Sequence, residues 1–179
     1  MLRPYKKIMP TLSEGCYVDQ DAVVIGDVTL GKDSSIWPLV VVRGDVNRIE
    51  VGARSNIQDG SIVHVTRKTP GNPEGYPTLI GDDVTIGHQV MLHGCVIGNR
   101  VLVGMSAVVM DNVTVESDVI IAAGSVVPPN KTLASGYVYK GNPVKQARPL
   151  SDAERAFFTK SADNYVVLKD EYLEMLDAD

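Results

Sequence analysis

The chain has 179 residues, a formal net charge of −5 and only 6% aromatic residues. This charge argues against a nucleic-acid partner, and no apolar run approaches the roughly 20 residues that span a bilayer. The basic N-terminus lacks the apolar segment of a secretory signal, and the two cysteines have no CxxC spacing. We therefore expect one cytoplasmic domain that binds neither nucleic acid nor membrane.

Aliphatic residues recur every six positions along most of the chain, which is its clearest pattern. A period of six fits neither an α-helix nor a hairpin meander. It fits short strands joined by tight corners, three to a coil, with coils about 4.8 Å apart. The sequence therefore predicts a mainly β fold, a parallel β-helix over residues 1–150, whose inward positions are Val18, Val24, Leu30, Ile36, Val42, Val51, Ile57, Val63, Ile80, Ile86, Leu92, Ile97, Val103, Val109, Val115, Ile121 and Val127.

The period is interrupted twice. The step from Val42 to Val51 is nine residues, through RGDVNRIE. Between Val63 and Ile80 lies a polar segment with several prolines and glycines. Such composition is typical of loops, so we predict a loop over residues 65–79 that protrudes from a corner.

The pattern changes after residue 150. The S-x-x-E sequence from Ser151 to Glu154 is a capping box, which predicts a helix over residues 151–179. We expect this helix to pack along the outside of the β-helix as part of the same domain. Its apolar face, at helical spacing, would consist of Phe157, Ser161, Tyr165, Leu168, Tyr172 and Leu176.

All three histidines lie at equivalent or adjoining repeat positions. His64 follows Val63 just as His93 follows Leu92, and these two core positions are one coil apart if the loop replaces one corner. His64 and His93 should then stack on the same side of the β-helix, whereas His88 lies near another corner. A neighbouring subunit could supply His88 to the stacked pair, so we predict a cyclic homotrimer.

Three neutral imidazoles with an open fourth position form a catalytic zinc site. Zinc lowers the pKa of bound water from 15.7 to about 7, which provides hydroxide at neutral pH. Cobalt and ferrous iron suit the same ligands. The sequence therefore predicts a metal site at His64, His88 and His93, with zinc as the expected ion and iron or cobalt as alternatives.

These features resemble the gamma-class carbonic anhydrase-like family, and specifically its shorter bacterial branch. The resemblance covers nearly the whole chain and is carried by the six-residue repeat, RGD at 43–45, NIQDGSIVH at 56–64, GHQVMLHG at 87–94 and the C-terminal helix. It implies a left-handed β-helix and a homotrimer with a metal at each subunit interface. It also implies that a metal-bound hydroxide converts carbon dioxide reversibly to bicarbonate.

The resemblance also implies roles for several polar residues. Gln58 would hydrogen-bond the metal-bound water, and Tyr165 would reach the site from the helix. Arg43 and Asp45 would pair near or across the subunit interface, with Asp59 in the same polar network. Such groups orient the ligands and tune the acidity of the water. Purely structural pairing at the subunit contact is the alternative role for Arg43 and Asp45.

The sequence departs from the best-studied members where a proton relay is expected. Val46 stands where they carry a glutamate, and the loop after His64 reads VTRK instead of presenting an acidic residue. Glu74 is the only carboxylate in that loop. Slow proton export and low activity are therefore expected. Asn164 is an alternative to Tyr165 as the helix residue near the site.

Two other functions fit parts of the sequence. Hexapeptide-repeat proteins commonly transfer acyl groups from coenzyme A, with a histidine as general base. GNPVK at 141–145 occurs in those enzymes too and does not discriminate. Three convergent histidines exceed the need for one base, which favours the metal-dependent lyase. A metal-bearing binding or assembly protein without catalysis is the third hypothesis.

Overall fold

The computed structural model of the chain describes residues 1–177. Twenty short strands are followed by one helix. The strands are β1 (Leu2–Arg3), β2 (Thr11–Leu12), β3 (Tyr17–Val18), β4 (Val23–Leu30), β5 (Ser35–Ile36), β6 (Val41–Val51), β7 (Asn56–Ile57), β8 (Ile62–His64), β9 (Thr78–Ile80), β10 (Thr85–Ile86), β11 (Met91–His93), β12 (Val96–Ile97), β13 (Val101–Val103), β14 (Val108–Val109), β15 (Thr114–Val115), β16 (Val119–Ile121), β17 (Val126–Val127), β18 (Thr132–Leu133), β19 (Tyr137–Lys140) and β20 (Lys145–Pro149). The helix α1 spans Asp152–Asp177.

Each strand pairs in parallel with the strand one coil away. One sheet runs β3-β5-β7-β10-β13-β16-β19, to which β20 adds in antiparallel orientation. The other sheet contains the remaining strands, and the long strand β6 pairs with both β8 and β9 within it. The predicted fold class, a parallel β-helix of hexapeptide repeats with a C-terminal α-helix, is confirmed.

The inward positions of the six-residue repeat form one continuous core. Ile36, Ile57 and Ile86 are adjacent in register on successive coils, and all three are fully buried. Of the predicted inward positions, only Val18, in the first coils, is half-buried. Burial of each such aliphatic side chain contributes about 1.5–3 kcal/mol, so the stacked core stabilises the β-helix along its whole length.

Both interruptions of the period leave the β-helix intact. The nine-residue step becomes the long strand β6, whose pairing with β4 shifts register between Gly26 and Val28. At the second interruption the chain leaves the β-helix after His64, where β8 ends. It re-enters at Thr78, where β9 begins, close to the predicted bounds of the loop. Within this loop the backbones of Thr66 and Tyr76 pair, so the segment is a short antiparallel excursion.

The capping box that predicted the helix is present. Ser151 Oγ accepts a hydrogen bond from the Glu154 backbone amide at 3.2 Å, and Glu154 Oε2 accepts one from the Ser151 amide at 2.9 Å. The predicted range 151–179 extends to residues 178–179, which lie outside the described residues. Within residues 1–177, no helix combines the length and apolarity needed to cross a bilayer.

The buried face of α1 matches the predicted one only in part: Ser161 is buried as predicted, but Leu176 is 61% exposed. Phe158 is buried against Val138 and Leu150, whereas Phe157 is 44% exposed. The prediction of Phe157 as an inward residue was therefore wrong, because Val138 of β19 and Leu150, just before α1, pack against its neighbour. Lys169 is also fully buried, and its Nζ lies 3.2 Å from a carboxylate oxygen of Asp33.

Candidate metal centre

Strand pairing brings His64 and His93 together. β8 and β11 are adjacent parallel strands whose register pairs Val63 with Leu92 and His64 with His93. Because both core residues point inward, both histidines point outward from the same side. His64 Nδ1 and His93 Nε2 are 3.1 Å apart, which confirms the predicted stacking.

Two carboxylates determine which nitrogens face each other. Asp45 Oδ1 lies 3.0 Å from His64 Nε2, and Asp111 Oδ1 lies 2.8 Å from His93 Nδ1. A carboxylate can only accept, so each ring donates its N–H to its aspartate. The nitrogens that remain, His64 Nδ1 and His93 Nε2, then present two lone pairs to the same point.

This arrangement fits a metal ion. Two ligand atoms of a tetrahedral zinc, each at about 2.0–2.1 Å, are about 3.3 Å apart, close to the separation of the facing nitrogens. Burial lowers the pKa of His64, and Asp45 offsets this only in part, so the neutral imidazole that a metal requires is favoured. Two facing lone pairs repel each other unless a cation or proton lies between them.

Asp45 is held on its other side by Arg43, as predicted. The guanidinium of Arg43 forms an ion pair and a hydrogen bond with Asp45 Oδ2. Burial opposes ionisation of Asp45, but the hydrogen bonds from His64 and Arg43, with the charge of Arg43, outweigh it and lower the pKa of this carboxyl group. Asp45 is therefore charged near neutral pH and can orient His64.

His88 follows β10, which belongs to the other sheet, and it lies next to Asp59. Its Nδ1 is 2.9 Å from Asp59 Oδ2, so its Nε2 is the nitrogen left for a ligand. Within one chain Asp59 thus pairs with His88 and not with Arg43 and Asp45. Among residues 1–177, no three histidine, cysteine, aspartate or glutamate side chains of one chain form a group that could hold a metal ion.

An apolar cleft of about 330 Å³ opens beside His88, between α1 and the β-helix. Its polar residues are Gln58, His88, Thr85, Ser161 and Tyr165, and its apolar wall is Leu102, Val103, Met105, Ala123 and Phe157. Asn164, the alternative to Tyr165, is exposed and is not part of this lining.

Gln58 is buried at the edge of this cleft. Its Nε2 donates to Asn56 Oδ1 at 3.0 Å, which leaves its own Oε1 as a free acceptor among the described contacts. Tyr165 packs its ring against Trp37, with ring centroids 5.6 Å apart. Burial and then the charge of Asp59 raise the pKa of Tyr165, so its hydroxyl is protonated at neutral pH.

Sequence reasoning missed Asp111, the carboxylate that orients His93. The register pairs Leu92 with Val109, so Asp111 lies one coil from Gly94 and beside His93. Gly94 has a φ of +57°, and a Cβ atom there would collide with the Asp111 carboxylate. Counting one coil forward from His93 to the next carboxylate would have found Asp111. Thr66 Oγ1 also donates to Asp111 Oδ1 at 2.7 Å.

The expected relay positions carry no proton acceptor near His64. Val46 is half-buried and packs against the core. Glu74, the one carboxylate of the loop, lies 3.7 Å from Lys68 at an exposed position.

Comparison with known proteins identifies the family of the chain. The family described as "Bacterial transferase hexapeptide (six repeats)" matches residues 94–129. Protein YrdA of Escherichia coli is 59% identical over 174 residues, which cover 97% of this chain and 95% of YrdA. The mitochondrial gamma carbonic anhydrase 2 of Arabidopsis thaliana is 47% identical over 159 residues. The chain belongs to the gamma carbonic anhydrase-like family.

Coverage differs among these members of the family. The alignment with the plant protein takes in 89% of this chain but only 57% of the plant sequence. A crystal structure of a hexapeptide transferase family protein from Anaplasma phagocytophilum has a TM-score of 0.89 and 40% identity. It covers 96% of this chain and 97% of that one, so the match includes the β-helix and the C-terminal helix alike.

Proposed function

We propose that the chain is a metal-dependent enzyme that reversibly hydrates carbon dioxide to bicarbonate. In this proposal a homotrimer holds zinc, iron or cobalt at each interface, with His64 and His93 from one subunit and His88 from its neighbour. The observation that carries the proposal is the 3.1 Å approach of two imidazole nitrogens whose rings donate to carboxylates on their far sides. The relative from Arabidopsis named gamma carbonic anhydrase supports the same reaction.

Several residues of this chain would have distinct roles in this reaction. Asp45 and Asp111 keep His64 and His93 in the tautomers that leave their facing nitrogens unprotonated. When bound, the metal would make hydroxide available at neutral pH. Gln58 would accept a hydrogen bond from the reacting water through Oε1, because its Nε2 already donates to Asn56.

The apolar lining beside His88 suits a substrate without charge. Carbon dioxide is apolar, and Leu102, Val103 and Met105 offer it an apolar wall. Proton export would be the slow step, since Val46 cannot carry a proton and Glu74 is paired with Lys68. The proposal therefore predicts hydration that responds to added buffer.

The test is a metal titration followed by stopped-flow hydration. Protein loaded anaerobically with zinc, ferrous iron or cobalt should bind about one ion per chain, because a cyclic trimer has three interfaces for its three chains. Hydration should then exceed the buffer rate and rise with buffer concentration. Stoichiometric metal without any hydration above the buffer would refute the enzyme while retaining the metal site.

Acyl transfer from coenzyme A is the second candidate, and one observation favours it. His88 and Asp59 form an imidazole–carboxylate pair at 2.9 Å that faces the apolar cleft, an arrangement that suits a general base. The structural relative named as a hexapeptide transferase family protein is consistent with it. Calorimetric titration with coenzyme A decides: saturable binding supports acyl transfer, and its absence removes it.

A further inference from the structure

A second cleft is lined in part by Asp45, whose Oδ1 lies 3.0 Å from His64 Nε2. Its volume is about 290 Å³, and we call it the cationic cleft; it is lined by Tyr5, Lys6, Asp45, Val46, Arg67 and Lys68. Lys68 is paired with Glu74 at 3.7 Å, so Lys6 and Arg67 are left facing one carboxylate, and that carboxylate is already engaged by Arg43 and His64. The cleft is therefore electropositive in a chain whose net charge is −5.

One wall is a tight turn that holds two lysines in a strained backbone conformation. Tyr5 and Ile8 exchange two backbone hydrogen bonds of 2.9 Å, so Lys6 and Lys7 form the turn. Their φ angles are +47° and +69°, a region that glycine or asparagine normally occupies. Lysine at both positions costs stability, and such strain is found where position serves function. Lys6 Nζ lies 5.4 Å from the Tyr5 ring centroid, which keeps the ammonium group over this wall.

The opposite wall is the loop after His64, and its backbone is anchored. The buried side chain of Asn47 donates through Nδ2 to the carbonyl oxygens of Thr66 at 3.1 Å and Glu74 at 2.8 Å. Thr66 also pairs with Tyr76 through two backbone hydrogen bonds. Arg67, next to Thr66, is thus presented from a fixed point. Among the described residues Arg67 forms no ion pair.

The positive excess is local. An adjoining cleft of about 250 Å³ shares Tyr5, Asp45 and Lys68 but adds Asp27 and Arg48 to its lining. Arg48 is neutralised by Glu50 at 2.7 Å, so that side carries no surplus of cations. Because Lys68 pairs with Glu74, the surplus is confined to the part lined by Lys6 and Arg67.

We propose that the cationic cleft binds a small oxyanion of the bicarbonate class beside Asp45. Two long cationic side chains on anchored walls can each donate to a carboxylate-type oxygen, and the field of a cation-lined cleft concentrates anions. The proposal that an anion binds here is based only on the charge and geometry of the cleft. Its meaning for turnover rests on the proposed function: bicarbonate would be drawn to, or released through, the cleft that adjoins Asp45.

The experiment uses the metal-free full-length protein, labelled with ¹⁵N and titrated with sodium bicarbonate at constant ionic strength maintained with chloride. Saturable shifts are expected at the backbone amides of residues 5–8 and 65–68. The double variant Lys6→Ala/Arg67→Ala should weaken binding about 25-fold, since each lost cation removes an attraction worth about fivefold near water's dielectric.

The matched control is Lys131→Ala/Lys140→Ala, which removes the same charge from exposed positions on the last coils. Unchanged binding in this control supports the cleft. Shifts that never saturate, or an equal loss in both double variants, would refute it. Because no metal is present, failure of hydration or of metal binding leaves this result intact, and the two proposals fail separately.

Discussion

The two histidine regions of the chain differ in what surrounds the imidazole. His64 and His93 lie on adjacent strands, each with an aspartate on its far side, and the His64 side chain is only 18% exposed. His88 has one aspartate and a side chain that is 47% exposed. The first region holds two oriented imidazoles; the second holds one imidazole and an apolar cleft.

This difference has a simple structural cause. A β-helix turns its outward side chains on different sides away from each other, so two ligands can meet only if they stack on successive coils. The spacing from Val63 to Leu92 provides one such stack. His88 belongs to a different corner and reaches a metal with His64 and His93 only if another subunit brings it there, which the following predictions test.

The largest expected effect is the loss of metal in either region. His93→Ala and His88→Ala should each weaken metal affinity by more than about 100-fold, beyond the 10- to 100-fold cost of changing an outer-shell partner. Equilibrium dialysis with cobalt measures both. If His88→Ala keeps full affinity, the two regions do not share an ion.

A mixture of these two variants tests whether two subunits share one ion. In a cyclic trimer refolded from equal amounts, about one quarter of the interfaces join an intact His64–His93 pair to an intact His88. About that fraction of the cobalt binding should return. Each variant refolded alone is the control, and a mixture that binds no more than its components contradicts the shared site.

Asp111 gives the next largest effect. Asp111→Ala removes the acceptor that orients His93, so metal affinity should fall about 10- to 100-fold while the trimer stays folded. The visible spectrum of bound cobalt should also change as the ring reorients. Asp118→Ala is the matched control, because that carboxylate pairs with Arg100 away from the histidines. Equal losses of metal affinity in the two variants would show that Asp111 has only a structural role.

Substitution of Gln58 tests the region around His88 without changing a proposed metal ligand. Gln58→Ala should leave metal affinity unchanged and lower kcat about tenfold, as expected for one lost hydrogen bond worth about 1.4 kcal/mol in the transition state. Stopped-flow hydration measures kcat, and Gln20→Ala, at an exposed position, is the control. A fall in metal content instead of kcat would assign Gln58 to packing.

The sequence could predict the β-helix because burial repeats with the coil: Ile57 and Ile86 occupy equivalent positions, and both are fully buried. It could also predict the stack of His64 on His93, which follows from the same register. It could not predict that Phe158 would replace Phe157 on the inner face of α1, because that choice depends on the partners offered by the last strands. Asp111 was missed because its partner lies in the preceding coil, outside any local motif.

The smallest expected effect is that of substituting Tyr165, which lines the apolar cleft beside His88. Burial and the charge of Asp59 raise the pKa of Tyr165 above its ordinary value of about 10, so its hydroxyl is protonated near pH 7. Tyr165→Phe keeps the packing on Trp37 and should lower kcat less than about threefold, under 0.7 kcal/mol, with the pH profile of kcat/KM unchanged. Tyr137→Phe, in the last coils, is the control. A shifted pH profile in Tyr165→Phe alone would show that this hydroxyl exchanges protons, and the absence of a relay group inferred from Val46 and Glu74 would then be wrong.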